Sequence, residues 1–420
     1  MSSEGMNLLM GFISLSGLFF SEGNCMNTKR IHCAEIIAAF YINSFIILKP
    51  LLNRYSYIST VILTLEIVAM LLIYLISYRF RFNRDNFFKM ITLLVCVSLV
   101  FAFDYIFRRS SYTWENYYYF LIYGGVTAFW LINVYDFKKL LKYWTIFAIC
   151  GGCMLITDPF KHYAVSGSYM NFGSGVLPAF AACFVVFAFY KKRIITPLLI
   201  IFLLEILLYA NKGASFSAIG IILIFTIYLT EDKRKRIKRV ILIIGLAILM
   251  CFFAFFLLES LVGLASRLGV GSYSLSDVNQ ILSSGFQLNS FSVRATIWEK
   301  IWEEFKSNFI IGMGIGGFED KYGNYAHNFF LDILITHGIL VGTIIFGMIG
   351  VFIKNTISYK NKDLYVFSTI ILLLWILPMM FSFTYWKMNS FWLFIIINLY
   401  FKTSKNGITN KKLQDMSEEL

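Results

Sequence analysis

Residues 328–353 read NFFLDILITHGILVGTIIFGMIGVFI, and this stretch sets the class of protein to expect. Asp332 is its only side chain that is charged at neutral pH. About 20 consecutive apolar residues suffice to cross the hydrocarbon core of a bilayer as a helix. In lipid only helices and closed barrels satisfy all of their backbone hydrogen-bonding groups, so we predict a transmembrane helix here.

Similar apolar runs recur along the whole chain. Of its 420 residues, 58% are hydrophobic and 15% are charged, and the mean hydropathy is +0.70. A soluble domain of this size needs more polar surface to cover its core. We therefore predict an all-α polytopic membrane protein. About twelve transmembrane helices are expected, at residues 31–48, 56–78, 87–107, 117–135, 139–156, 172–190, 194–211, 213–230, 240–259, 328–353, 364–384 and 389–402.

This pattern divides the chain into four parts. We expect an N-terminal transmembrane bundle at 1–259, one long loop at 260–326, further transmembrane helices at 327–403 and a tail at 404–420. The apolar run Asn7–Phe20 is short for a full crossing, so it is either a tilted or re-entrant segment or a thirteenth span.

The basic residues indicate how the spans are oriented. Alternate connections hold 25 of the 37 Lys and Arg residues, and the opposite side holds 12, five of them in the long loop. Under the positive-inside rule the basic side faces the cytoplasm, which places the tail there and the loop 260–326 outside. The same distribution explains the net charge of +13 without a nucleic-acid partner.

The long loop contains a predicted amphipathic helix at Ser292–Asn308. Ile301 and Phe305 share an apolar stripe of this helix, and Trp298 lies beside the stripe. Tryptophan on such a helix suits a membrane interface. Arg294 lies four residues before Trp298 and therefore on the same side, near the headgroups.

Two further features follow this helix. Four glycines between Gly312 and Gly317 permit positive φ angles and close backbone approach, which suits either an anion cradle or a plain flexible turn. His327 and Asn328 then stand where the loop meets the next span. A histidine there serves either as a base near neutral pH or as a structural residue.

These pieces occur in an order that resembles a known family. The motifs are Arg294-Ala-Thr-Ile-Trp298, the run Ile311–Phe318, Ala326-His327-Asn328-Phe-Phe-Leu331 and Gly338-Ile-Leu-Val-Gly342. Together they look like the superfamily of O-antigen polymerases and O-antigen ligases. The motifs cover about 50 residues, and the twelve-span layout extends the likeness along the chain. The resemblance implies an inner-membrane glycosyltransferase with a GT-C-like helical fold and one long periplasmic loop.

The resemblance also implies a reaction. A glycan would pass from an undecaprenyl-diphosphate carrier to a sugar hydroxyl, with inversion at the anomeric centre. The expected partners are the carrier-linked oligosaccharide, membrane lipid, and a flippase and chain-length regulator of the same pathway. Arg294 and Lys212 would hold the diphosphate, and His327 would take the hydroxyl proton or bind phosphate. The expected substrate-binding residues are Asn328, Asn171, Tyr325, Gly316 and Gly317.

Two stretches outside the motifs bear on these assignments. Many relatives have an arginine where this chain has Lys212, and lysine lacks the bidentate fork of arginine. The stretch Gly167-Ser-Tyr-Met-Asn171-Phe-Gly173 looks more like polymerases, so we favour a polymerase, with an O-antigen ligase as the alternative. A lipid-linked oligosaccharide transporter is less favoured, because such proteins often show internal repeats and we find none.

We expect neither a metal nor another cofactor. The chain contains no Asp-x-Asp motif, which predicts a metal-independent reaction. The diphosphate already activates the donor, so no nucleotide sugar is required outside the cell.

Overall fold

The computed structural model describes residues 33–52, 68–75, 82–210 except 162, 164 and 165, 212–230, scattered positions between 232 and 245, and 289–401. The apolar run Asn7–Phe20, most of the predicted span 56–78, nearly all of 240–259, loop residues 260–288 and the tail 404–420 lie outside these residues. Within the described part every regular element is helical, with no strand, which confirms the all-α prediction.

Thirteen α-helices have defined bounds within this part. They are α1 Cys33–Leu52, α2 Arg84–Arg108, α3 Ser111–Phe120, α4 Thr127–Leu131, α5 Phe137–Leu155, α6 Tyr169–Ala188, α7 Thr196–Tyr209, α8 Lys212–Leu229, α9 Asn289–Ser307, α10 Gly317–Tyr322, α11 Phe329–Ile357, α12 Lys362–Ile376 and α13 Asn389–Tyr400. Six stretches among the described residues are long and apolar enough to cross a membrane, and they include α2, α5, α6, α8, α11 and α12. The total of twelve spans stays a prediction.

The centre of the bundle is formed by α5, which packs against α1 on one side and α6 on the other. Small residues bring these helices close together. A Cβ atom added at Gly152 of α5 would collide with Ala179 of α6 and Phe202 of α7. Such small-residue contacts are a common means of packing helices in membranes, where the hydrophobic effect no longer distinguishes helix from lipid. Large buried rings, among them Trp144 and Trp375, fill the space between the helices.

One helix contains a π-helical turn. The residues Leu121–Val126 join α3 to α4 with π geometry, and the hydroxyl of Tyr41 donates to the carbonyl oxygen of Ile122 at 2.8 Å. A single π turn inside an α-helix is uncommon and is frequently found at functional sites. This turn therefore points to the neighbouring space as a candidate functional region.

The stretch 328–353, which the sequence predicts as one continuous helix, is broken at Gly338. Gly338 has φ 68° and ψ −177°, so the backbone leaves the helical conformation there. The backbone N–H groups of Met313 and Gly314 donate to carbonyl oxygens before the break at 2.7 and 2.9 Å, and Ile339 N–H donates to the carbonyl of Phe309 at 2.8 Å. The chain that precedes α10 thus supplies the hydrogen bonds that the break removes.

We predict that Gly338→Ala destabilises the protein, whereas Gly347→Ala in the same helix does not. A Cβ at Gly338 would meet the backbone of Ile310 and Gly312, and its positive φ alone costs a non-glycine residue about 1–3 kcal/mol. A Cβ at Gly347 would meet open space, and the backbone there is helical, so alanine is expected to be neutral or slightly stabilising. Thermal unfolding in detergent measures both. Equal midpoints for the two variants would contradict the structural role of the break.

Candidate active site

The last part of the long loop is fixed to the ends of α2 and α3. The backbone N–H and hydroxyl of Ser111 donate to the carboxylate of Asp320 at 3.1 and 2.7 Å. The hydroxyl of Thr113 donates to the carbonyl of Ile315 at 3.1 Å, and the N–H of Ile315 donates to the Asp104 carboxylate at the same distance. Four hydrogen bonds therefore hold the glycine-rich run and α10 against two helices of the bundle.

The glycine-rich run has the backbone geometry that its sequence permits. Gly312, Gly314 and Gly316 all have positive φ. A Cβ at Gly316 would collide with the side chain of Tyr112, and the N–H of Gly317 donates to the carbonyl of Gly314 at 3.2 Å. These glycines allow close backbone packing, and substrate binding by Gly316 and Gly317 stays a prediction.

The amphipathic helix of the loop is present as α9, within three residues of its predicted start and one of its end. Ile301 and Phe305 are buried in a small apolar cluster with residues of α10 and α11. Trp298 donates from its indole Nε1 to the carbonyl of Ala326 at 3.1 Å. The helix thereby anchors the residue directly before His327.

Arg294, Tyr325 and His327 come together where α9 meets the start of α11. The rings of Tyr325 and His327 stack with centroids 4.0 Å apart. Burial raises the pKa of Tyr325, and the nearby positive charge of Arg294 opposes that rise. His327 has φ 52°, an uncommon conformation for a non-glycine residue that is concentrated at functional sites. Two of the three predicted catalytic residues are thus neighbours.

The electrostatic setting of His327 favours its neutral form. Burial, followed by the charge of Arg294, lowers the pKa of His327 to about 4. Its Nδ1 atom is buried and has no hydrogen-bond partner among the described residues. Within that same part of the chain, no carboxylate lies at ion-pairing distance from Arg294. A guanidinium that has no carboxylate partner among the described residues, next to a neutral imidazole, suits an anionic ligand that carries a reacting group.

Asn328 has a structural task that the sequence did not reveal. It is the N-cap of α11, and its side-chain oxygen accepts from the N–H groups of Phe330 and Leu331 at 3.0 and 3.2 Å. An N-cap of this kind typically contributes about 1 kcal/mol to helix stability. Because Asn328 directly follows His327, the cap also helps to hold the imidazole in place. A direct contact with substrate stays a prediction.

A cavity of about 250 Å³ lies among the helices of the bundle, and Phe383 in its wall is close to Tyr325. Its wall includes Asn171 from the first turn of α6, whose amide nitrogen donates to the carbonyl of Ser166 at 3.1 Å. Ala214 of α8 also lines it, two residues after the exposed Lys212 that begins this helix. The predicted residues therefore form two groups: Arg294, Tyr325 and His327 at the loop, and Asn171 and Lys212 on the helices around the cavity.

Lys387, which the sequence motifs do not include, connects the two groups. It lies in the connection between α12 and α13 and lines the cavity. Its Nζ atom is 2.6 Å from the Glu115 carboxylate and 5.0 Å from the ring centroid of Tyr119. Its charge also acts on Tyr325, which lies close to the backbone of Phe383, another cavity residue. The sequence signal was present, since Lys387 stands in a short connection on the predicted outer side.

The fold indicates a class of protein, and one comparison with known families adds a similarity over part of the chain. The long apolar helices indicate a multi-pass membrane protein. Residues 198–347, about a third of the chain, match the family model described as O-antigen ligase. This match includes Lys212, Arg294 and His327, and it confirms the resemblance to the O-antigen polymerase and ligase superfamily, whose members are glycosyltransferase-like enzymes. No curated protein and no solved structure matches the chain.

We predict that His327 titrates well below an ordinary histidine and that Arg294→Gln raises its pKa. The shift follows because the substitution removes the positive charge that disfavours the imidazolium, while burial remains. Selective ¹³C labelling of histidine, with His327→Gln to assign the signal, measures the titration by NMR. A pKa near 6.5 in the unsubstituted protein, or one unmoved by Arg294→Gln, would contradict the described environment.

Proposed function

We propose that this protein is an O-antigen polymerase, or a polymerase of a related surface polysaccharide, which joins undecaprenyl-diphosphate-linked repeat units. The observation that supports this best is the pairing of Arg294 with the neutral His327 next to a cavity, within the region that matches the family. The family acts on lipid-linked polysaccharide substrates. A transferase of this kind needs a cation for the leaving diphosphate and an acceptor for a hydroxyl proton.

In the proposed reaction the acceptor hydroxyl oxygen attacks the anomeric carbon of the donor glycan. The bond between that carbon and the diphosphate oxygen breaks, and its electron pair leaves with the diphosphate. His327 takes the proton of the hydroxyl. Arg294 holds the leaving phosphate through charge-assisted hydrogen bonds, and Lys212 contributes a second positive charge from the start of α8. Attack opposite the leaving group inverts the anomeric centre.

Donor binding also prepares the base in this scheme. In the free protein the charge of Arg294 helps to lower the pKa of His327, so that the imidazole is a weak base. A diphosphate bound at Arg294 opposes that charge and raises the pKa of His327. The proton acceptor therefore gains strength when the activated donor is in place.

The proposed location is the bacterial inner membrane, with the site on its periplasmic face and the C-terminus in the cytoplasm. The positive-inside count supports this orientation. The residues of the site lie at the helix ends whose connections contain few basic residues. A donor carried by a lipid can then reach the site sideways from the bilayer.

An O-antigen ligase, which transfers finished polymer to lipid A–core, is the second candidate. The description of the matching family favours it, and the two activities share the same bond-forming chemistry. They differ in the acceptor. The stretch Gly167–Gly173, at the cavity end of α6, is our reason for placing the polymerase first.

We predict that deletion of the gene leaves lipopolysaccharide core that bears a single repeat unit. A ligase deletion would instead leave bare core while carrier-linked polymer accumulates, and a transporter deletion would leave bare core without that polymer. Gel analysis of lipopolysaccharide and of the carrier-lipid fraction distinguishes these three outcomes. Bare core would therefore contradict the polymerase.

We predict that His327→Ala and Arg294→Ala reproduce the deletion at normal protein levels. Each removes a group to which the reaction assigns a direct role, and loss of one well-placed electrostatic group costs about 100- to 1,000-fold in rate. Arg294→Lys keeps the charge without the fork and is expected to retain partial activity. Lys306→Ala, an exposed cation on the same helix, is the matched control and should give a wild-type ladder. Wild-type ladders from both alanine variants would refute the site.

We further predict that the reaction requires no metal. Among the described residues there is no group of three or more His, Cys, Asp or Glu side chains that could hold one. Purified enzyme in lipid nanodiscs should elongate a carrier-linked oligosaccharide equally well with and without EDTA. Inhibition by EDTA that Mg²⁺ or Mn²⁺ reverses would disprove metal independence.

A further inference from the structure

Three asparagine side chains line the cavity beside the Arg294–His327 group. The amide nitrogens of Asn43 and Asn171 donate to backbone carbonyls at 2.9 and 3.1 Å, and the amide oxygen of Asn389 accepts from the hydroxyl of Thr127 at 3.5 Å. The opposite end of each amide has no partner among the described residues. Asn43 is buried, Asn389 is half-buried and Asn171 is exposed, and a polar occupant of the cavity would satisfy the free end of each amide.

An aromatic side chain completes the same wall. Tyr123 lies in the π-helical turn and lines the cavity. Its ring stacks on Tyr119, with centroids 5.8 Å apart and planes only 17° from parallel. The π turn places Tyr123 here by shifting its position relative to a regular helix. Amide groups next to an aromatic ring match the hydroxyls and the apolar C–H face of a sugar.

The charges of this wall argue against an anionic occupant. Lys387 is a cation of the cavity lining, and its ammonium group is engaged by the Glu115 carboxylate at 2.6 Å. Arg294, in contrast, has no carboxylate partner in the described part of the chain. The leaving diphosphate is therefore expected to bind at Arg294, and the cavity is expected to bind an uncharged group.

A hydrocarbon chain is also a poor match. It would pack against the apolar residues of the cavity lining but would leave the free ends of the Asn43, Asn171 and Asn389 amides without a hydrogen-bond partner. The volume of about 250 Å³ lies just below the range of roughly 300–1,000 Å³ that is typical of whole ligands. A small part of a larger substrate fits it better than a complete one.

We infer that this cavity is the subsite for an uncharged sugar residue of the acceptor glycan, with Tyr123 as its stacking platform and Asn43, Asn171 and Asn389 as its hydrogen-bonding groups. The inference rests on the proposed function, because only a glycan transferase brings such an acceptor to this face. The sugar reaches the reacting centre past Tyr325, which contacts Phe383 of the cavity wall on one side and His327 on the other. Asn389 and Tyr123 thereby determine which acceptor is used.

The test measures the binding of two probes to the full-length protein in nanodiscs. The first probe is the repeat-unit oligosaccharide released by mild acid from the carrier lipid of the same strain, and the second is undecaprenyl monophosphate. We expect Tyr123→Ala to weaken oligosaccharide binding by roughly tenfold and Asn389→Ala by roughly three- to tenfold, without effect on the lipid phosphate. Arg294→Ala should weaken the binding of undecaprenyl monophosphate and leave the binding of the oligosaccharide unchanged. In saturation-transfer difference NMR of the bound oligosaccharide, the strongest signals should come from the protons of an uncharged terminal sugar.

Two matched controls separate the subsite from general damage. Tyr123→Phe keeps the stacking ring, and Tyr118→Ala removes an exposed ring one residue before Tyr119, so both should bind the oligosaccharide within about twofold of wild type. Thermal unfolding verifies that every variant is folded. If Tyr123→Ala does not fold, the oligosaccharide affinity of Asn389→Ala tests the subsite by itself.

Two outcomes would overturn the inference. One is that the wild-type protein does not bind the oligosaccharide, or that neither Tyr123→Ala nor Asn389→Ala changes its affinity. The other is loss of undecaprenyl monophosphate affinity in Tyr123→Ala, which would place lipid in the cavity. The proposed function fails separately, through wild-type ladders from His327→Ala and Arg294→Ala, whatever the binding data show.

Discussion

The site depends on how the break in α11 satisfies its own backbone. Unpaired peptide groups at membrane depth cost several kcal/mol each, so a helix can open there only if another segment replaces the lost bonds. The residues Phe309–Gly314 do so from the long loop, and the contact is close enough to require glycine at both Gly312 and Gly338. This junction fixes where the loop returns to the bundle, and it thereby positions α10, Tyr325 and His327.

The pattern of ion pairs then decides which cation is available to a substrate. Lys387 is engaged by Glu115, and Lys321 of α10 by Glu304 of α9, so these two lysines connect elements of the fold. Arg294 lies on the same helix as Glu304 and has no such partner within the described residues. The fold thus uses Lys321 and Lys387 to join elements and leaves a bidentate cation beside the histidine, the arrangement that a diphosphate favours.

The sequence predicted the type and position of most elements because long apolar runs leave few alternatives to a helix, as α5 and α8 show against the expected spans 139–156 and 213–230. The resemblance also placed Arg294 and His327 in the same ordered set of motifs. The break at Gly338 could not be predicted in this way, since a continuous helix tolerates an isolated glycine and the compensating bonds come from residues 309–314. The roles of Tyr123 and Lys387 could not be predicted for a similar reason: although Lys387 stands in a short outer connection, both roles arise from packing between elements distant in sequence.

In the proposed function the diphosphate already activates the donor, so the separation of the cationic site at Arg294 from the uncharged cavity affects how water competes with the acceptor. Water competes with the acceptor for such a donor, and a strong base that is always present would activate either one. In the free protein, burial and the charge of Arg294 lower the pKa of His327 to about 4, where the imidazole accepts protons poorly. In the proposed reaction a bound diphosphate would raise the pKa of His327 only while the donor is present, and a sugar in the cavity would then occupy the approach of water. Hydrolysis would be suppressed because the base and the acceptor subsite become effective together.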